Sequence, residues 1–218
     1  MAKKKFVIHP ALTVKLPVVQ LDKSAHSAFV GAKYHISKIE EMMHRPGMQS
    51  MISDYMNDAD IEENLKREMQ CDVNIFFWHL RAFFWELVAT FDTMLQWANE
   101  RYGLGIAEEK VRWETIRQNA SRATKDPGEW GNRYASLENV WNSAWYFEVR
   151  NYRNFAHRAF LFVESAHREQ ETNGRVQHEL VFAHLIPAQK EQPFLDMREQ
   201  LLSYLEQMRQ LGEAIFKH

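Results

Sequence analysis

Apolar residues along most of this chain recur every three or four positions, the spacing of one face of an α-helix. The first such run begins after Asp22 and ends before the Arg-Pro-Gly sequence at 45–47, where proline and glycine stop a helix. Its apolar positions are Ala25, Phe29, Ala32, Ile36, Ile39 and Met43. The pattern predicts one amphipathic helix over this stretch.

The longest apolar run spans residues 61–103 and predicts either one long helix or two helices joined near Cys71. Asp60 and Glu63, in front of it, have the spacing of an N-terminal capping box. Six aromatic residues of the run cover more than one helix face: Phe76, Phe77, Trp78, Phe83, Phe84 and Trp85. That width indicates core on one side and a subunit interface on the other.

Shorter patterns follow the long run. A helix is expected within residues 106–121, and the sequence Lys-Asp-Pro-Gly-Glu-Trp-Gly-Asn at 125–132 is expected to be a loop. Apolar residues at helical spacing then predict a helix from Leu137 to Phe147. Pro193 opens a final amphipathic helix, which is predicted over residues 193–218.

Two segments depart from the helical spacing. Residues 6–20 alternate apolar and polar side chains and contain prolines, which favours an extended arm over residues 1–20. The Thr-Asn-Gly-Arg sequence at 172–175 is typical of a tight turn, and alternation after it predicts a β-hairpin at about 160–186, although 160–171 also fits a helix end.

These elements together predict a single domain over residues 1–218. The expected fold class is mainly α: an antiparallel helical bundle with an extended N-terminal arm and a small β-hairpin. The composition is 45% hydrophobic and 13% aromatic, an ordinary globular balance that is rich in Trp and Phe.

Charge, cysteine content and the length of the apolar runs limit the partners and the cellular compartment that the sequence favours. Lys and Arg total 27 against 29 Asp and Glu, a formal charge of −2, so any polyanion must bind to a local basic patch. Cys71 is the single cysteine, which fits a reducing compartment. The N-terminal apolar run is broken by Lys15 and prolines, and the most apolar helix by Arg81 and Glu86. We therefore expect a cytoplasmic protein with no membrane partner.

The segment 148–157 carries the candidate chemistry. Its sequence, Glu-Val-Arg-Asn-Tyr-Arg-Asn-Phe-Ala-His, holds two Arg-Asn pairs and a histidine within an aromatic stretch. Charged groups are costly to bury unless they are paired. The cluster is therefore either a satisfied structural network or a site for an anion. Arg81, Glu86 and Asp92 of the long apolar run either form buried ion pairs or face this cluster.

The arrangement Arg150-Asn151, five residues, then His157 resembles the signature of the HEPN superfamily of small helical-bundle proteins. That signature is an arginine, a polar residue that is often asparagine, and a histidine after four to six intervening residues. The helical pattern and the long central helix are also similar to that family. The N-terminal arm and the hairpin are not matched to it, so the motif carries the resemblance.

The resemblance implies a metal-independent endoribonuclease without a cofactor, in which two chains bring their motifs together across a homodimer. Arg150 would stabilise the phosphate, since its guanidinium fork matches phosphate oxygens. His157 would transfer the proton because histidine titrates near neutral pH. Asn151 would orient the histidine or donate to phosphate, and Arg153 and Asn154 would help to bind substrate. RNA is then the substrate, and an antitoxin protein a partner if the chain is a toxin or defence component.

Two other interpretations remain open. One is a non-catalytic HEPN-like protein that uses the same fold for dimerisation or partner binding. The other is a di-metal carboxylate bundle, which uses two Glu-x-x-His pairs and two further inward glutamates. The chain has that inventory: Glu41 with His44, Glu164 with His167, Glu86 and Glu148. One Glu-x-x-His pair falls at a helix end and the other on the predicted strand. Both positions argue against a metal site, so no metal ligand is assigned.

Overall fold

The computed structural model describes residues 18–45, 48, 63–158, 163–169, 176–182 and 197–216, with side chains at 20–45, 48, 72–155 and 197–216. These residues form α1 (Val18–Met43), α2 (Glu63–Tyr102), α3 (Trp113–Asn119), α4 (Pro127–Trp141), α5 (Ala144–Arg158), β1 (Val163–Glu169), β2 (Val176–Phe182) and α6 (Met197–Phe216). Most of them are helical, which confirms the predicted mainly α fold class.

Helix α2 lies at the centre and contacts α1, α3, α5 and α6. Its fully buried side chains recur at helical spacing: Val73, Phe76, Leu80, Phe83, Leu87 and Phe91. Each such side chain stabilises the fold by about 1.5–3 kcal/mol through burial. The helix passes Cys71 without a break, so one long helix is formed and not two. Asp60, the predicted cap, lies outside the described residues.

The start of α1 corrects the predicted arm. The helix begins at Val18 and not after Asp22, so residues 18–20 are helical where an extended segment was predicted. Leu21 is buried in the core, which shows that the apolar face begins one turn before Ala25. The rest of the predicted arm, residues 1–17, lies outside the described part of the chain.

The predicted loop at 125–132 is wrong, because α4 begins at Pro127. Proline is tolerated in the first turn of a helix, where its missing N–H would have no partner in any case. Asp126 precedes it in a left-handed conformation, with φ of 43°. The Trp130 side chain is buried, and its Nε1 donates a hydrogen bond of 2.8 Å to the Ala120 carbonyl. This tertiary contact outweighs the loop-forming composition.

The single helix predicted from Leu137 to Phe147 is also wrong. It is divided at residues 142–143, where α4 ends and α5 begins. The Ser143 hydroxyl accepts a hydrogen bond of 3.3 Å from the Tyr146 backbone N–H, which caps the new helix. The break places segment 148–157 inside α5 and brings the end of α4 beside it.

Strands β1 and β2 pair antiparallel, with Val163 opposite Phe182 and Glu169 opposite Val176. The turn sequence 170–175 lies outside the described residues, so the hairpin as a closed unit stays a prediction. Glu164 and His167 are both in β1. A strand does not give the one-turn helical spacing that a Glu-x-x-His ligand pair uses.

Helix α6 begins at Met197, and residues 193–196 of its predicted span are outside the described part. A polar contact ties it to α5. The Tyr204 hydroxyl donates to the Glu148 carboxylate at 2.6 Å and accepts from Gln200 Nε2 at 2.5 Å. Burial, followed by the contact with Glu148, raises the pKa of Tyr204 well above its usual value, so the phenol remains the donor.

Replacing Tyr204 with phenylalanine should lower the free energy of unfolding by about 1.5–3 kcal/mol, the range for a hydrogen bond to a charged group. Urea denaturation followed by circular dichroism measures this change. Tyr134→Phe is the matched control, because the Tyr134 hydroxyl contacts Glu138 one turn away within α4. Its loss should cost about 0.2–0.5 kcal/mol. Equal losses in the two variants would contradict a special role for the link between α5 and α6.

Two histidines join α1 to α2. The Nδ1 atoms of His35 and His79 are 2.9 Å apart, and both residues are buried, so one ring donates and the other accepts. The rings of Tyr34 and Trp78 lie edge-on to this pair. Burial lowers the pKa of both histidines. The neighbouring His79 lowers the pKa of His35 further. Lys38 lowers the pKa of His79 further, whereas Glu41 raises it.

The free energy of unfolding should therefore fall when the pH drops below about 6.5, the unperturbed value for histidine. The unfolded chain binds protons there that the folded pair resists, so the stabilisation is complete above that pH and is lost below it. Denaturation at pH 7.5 and 5.5 measures the difference. His79→Gln should reduce it, whereas His26→Gln, at an exposed position of α1, should keep it. An unchanged pH dependence in His79→Gln would contradict this assignment.

Candidate functional site

A pocket of about 320 Å³ opens where α2, α3, α4 and α5 meet. Four of the five residues singled out from the sequence line it: Arg150, Asn151, Arg153 and Asn154. They lie within five consecutive residues of α5, where helical spacing gives them neighbouring positions. Four of the five predicted residues thus share one pocket.

Arg150 is held against the end of α4. Its guanidinium carbon lies 3.7 Å from the centre of the Trp141 ring, within the range of a cation–π contact. Its Nη2 donates a hydrogen bond of 3.2 Å to the Trp141 carbonyl. Burial lowers the pKa of Arg150, although an arginine in a protein remains charged. Its Nε is buried and has no hydrogen-bond partner among the described residues.

Trp141 is itself fixed by other aromatic rings. It stacks on Trp113 of α3 with ring centres 5.8 Å apart, and Phe91 of α2 lies 6.0 Å away. These contacts hold the indole at the helix break that follows residue 141. The arginine is therefore positioned by a packed aromatic surface and not by a carboxylate.

Arg153 occupies the same pocket one turn later. Its Nη1 donates to the Asn154 side-chain oxygen at 2.9 Å, and its guanidinium lies 5.5 Å from the Trp85 ring. Its Nε is buried and has no partner in the described part of the chain. Arg153 thus brings a second cation to the pocket.

Two carboxylates, Asp92 and Glu114, complete the lining. Burial raises the pKa of Asp92, with Glu114 adding to the effect and Arg153 opposing it. Asp92 was one of three charged residues expected either to form a buried ion pair or to face this cluster. Sequence reasoning missed Glu114 because it lies on the polar side of a short helix with no motif around it.

His157 lies in α5, seven residues after Arg150, which is about two helical turns. Its side chain is outside the described residues. The expectation that Arg150 and His157 face each other across an open cleft therefore stays a prediction.

The alternative metal inventory is not assembled among the described side chains. Glu41 binds Lys38 at 2.5 Å, and His44 donates from Nδ1 to the Glu40 carbonyl at 2.6 Å, both on the surface. Glu148 is bound to Tyr204. Where side chains are described, no three His, Cys, Asp or Glu residues are grouped so that they could hold a metal ion.

None of the described helices is both long and apolar enough to cross a membrane. No protein-family model matches this chain, and neither a curated protein nor a solved structure matches it. The interpretation of the site therefore depends on its own geometry and on the motif.

Proposed function

We propose that this chain is a HEPN-type, metal-independent endoribonuclease of the cytoplasm that acts as a toxin or defence component. In this proposal the helices form an antiparallel bundle with an N-terminal arm and a β-hairpin. One observation supports the site above all: Arg150, fixed on Trp141, shares a pocket with Asn151, Arg153 and Asn154 and retains a buried, unpartnered Nε.

The proposed reaction is transesterification within the RNA. The ribose 2′-oxygen forms a bond to phosphorus, and the bond from phosphorus to the leaving 5′-oxygen breaks. The 2′-hydroxyl proton passes to a base and another proton reaches the leaving oxygen, with His157 serving in one of these roles. Arg150 stabilises the negative charge that grows on the phosphate oxygens, and Arg153 binds the neighbouring backbone. The products carry a 2′,3′-cyclic phosphate and a 5′-hydroxyl.

We propose a homodimer because one histidine cannot be both base and acid in a single step. A second copy would contribute its own His157. Phe155, on the same helix as the motif, is 37% exposed and gives an apolar surface on which such a contact can form. Sedimentation at micromolar concentration should show a dimer, and Phe155→Asp should shift it towards monomer. A wild-type monomer with full cleavage activity would contradict the composite site.

The direct test compares RNA cleavage and growth inhibition by the wild type and His157→Ala. If neither protein cleaves RNA, the alternative is a non-catalytic HEPN-like module that binds a partner such as an antitoxin. The exposed rings of Tyr34, Trp78 and Trp85 support that alternative, because exposed aromatic side chains are enriched at protein interfaces.

A further inference from the structure

We propose that the pocket around Arg150 binds a guanine base of the RNA, with the carboxylates of Asp92 and Glu114 as the acceptors for its Watson–Crick edge. This inference depends on the proposed function for its substrate, RNA. It concerns base recognition and not the cleavage step.

The charge of the pocket is the first argument. Two arginines and two carboxylates line it, so their formal charges cancel. A site built for phosphate alone would be positive, because each carboxylate repels the anion. Neither carboxylate has a hydrogen bond or an ion pair within 4 Å among the described residues. Asp92 and Glu114 are both exposed to solvent, so a ligand that brings hydrogen-bond donors together with its phosphate can reach them.

The pattern of donors on the bases selects among nucleotides. An ionised carboxylate accepts hydrogen bonds and donates none. Guanine presents N1–H and the N2 amino group side by side, so one carboxylate can accept from both. Adenine and cytosine place an acceptor nitrogen next to their amino group, and uracil has one N–H between two carbonyls. Two carboxylates in the lining of one pocket thus favour guanine over the other bases.

The pocket also has the size and the planar groups that a base needs. Its volume of about 320 Å³ lies at the small end of the range for ligand pockets, roughly 300–1,000 Å³. Phe147 lines it with a ring that is 46% exposed. Unpaired RNA bases stack on such aromatic surfaces while their edges are hydrogen-bonded.

The test is calorimetric titration of the full chain with the 3′-monophosphates of guanosine, inosine, adenosine and uridine. Guanosine should bind most tightly, and inosine, which lacks the N2 amino group, should bind less well. Asp92→Asn should weaken guanosine binding by about 5- to 150-fold, the value of one bidentate base contact, and leave adenosine unchanged. Glu114→Gln is the second variant, in case Asp92→Asn does not fold.

Glu109→Gln is the matched control, because Glu109 is exposed on a short 3₁₀ turn and does not line the pocket. It should retain the preference for guanosine. Equal affinity of the wild type for all four nucleotides would overturn the inference, even if the protein cleaves RNA. A preference for guanosine that Asp92→Asn abolishes would support it, even if no RNA is cleaved and the proposed function fails.

Discussion

Replacing His157 with alanine is expected to lower the rate of RNA cleavage by about 10²- to 10⁴-fold, the usual contribution of one acid–base group. The reaction moves one proton from the 2′-hydroxyl and another to the leaving oxygen. Of the motif residues Arg150, Asn151 and His157, only the histidine titrates near neutral pH. The measurement is single-turnover cleavage of a labelled RNA, with the free energy of unfolding checked in parallel.

His26→Ala is the matched control for that variant, because His26 is exposed on α1, away from the pocket. It should cleave at the wild-type rate. The same assay in EDTA should show no loss, since the two arginines supply the positive charge that the phosphate needs. Cleavage that stops in the chelator, or that His157→Ala leaves unchanged, would show that the motif match is a coincidence.

Hydrophobic periodicity predicted the helices that bury one face in the core and expose the other. It worked for α2 because its apolar stripe, from Val73 to Phe91, directly records which face is covered. It failed at Pro127 and at Ser143, where helix ends are set by a cap and a tertiary hydrogen bond. Such contacts depend on residues distant in sequence or on a single hydroxyl, and neither changes the apolar spacing.

The site shows the same limit. Arg150 to Asn154 were found from sequence because neighbours on one helix share a surface, and a local motif can record that. Trp141 lies within the helix predicted from Leu137 to Phe147, and nothing in that pattern showed that it holds Arg150 in place. Glu114 comes from another helix, and only the fold brings it to the pocket.

The contacts of the arginines support the proposed anion site over a purely structural network. An aromatic ring and a backbone carbonyl hold Arg150, and neither neutralises its charge. Its contact with Trp141 fixes the position of the side chain, and its buried Nε is still without a partner in the described structure. The aromatic residues around the motif therefore hold the guanidinium in place without a direct ion pair to a described carboxylate.

Replacing Arg150 with lysine is expected to reduce cleavage by about 10²- to 10³-fold, or about 2.7–4 kcal/mol, the cost of losing one donor to a developing oxyanion. Lysine keeps the charge but has no planar fork, so it cannot stack on Trp141 in the same way and contact two phosphate oxygens together. The loss should lie mainly in kcat, because the charge on the phosphate oxygens grows in the transition state.

Arg153→Lys is the comparison that separates the effect of the planar guanidinium from the effect of positive charge alone. Arg153 contacts Trp85 at the longer distance of 5.5 Å and is assigned to substrate binding, so its lysine variant should change KM more than kcat. Equal kcat losses in the two variants would mean that the planar guanidinium is needed at both positions and that Arg150 has no special role. Full activity of Arg150→Lys would show that the guanidinium of Arg150 does not stabilise the transition state. A selective kcat loss at Arg150 would identify the guanidinium on Trp141 as the group that stabilises the phosphate.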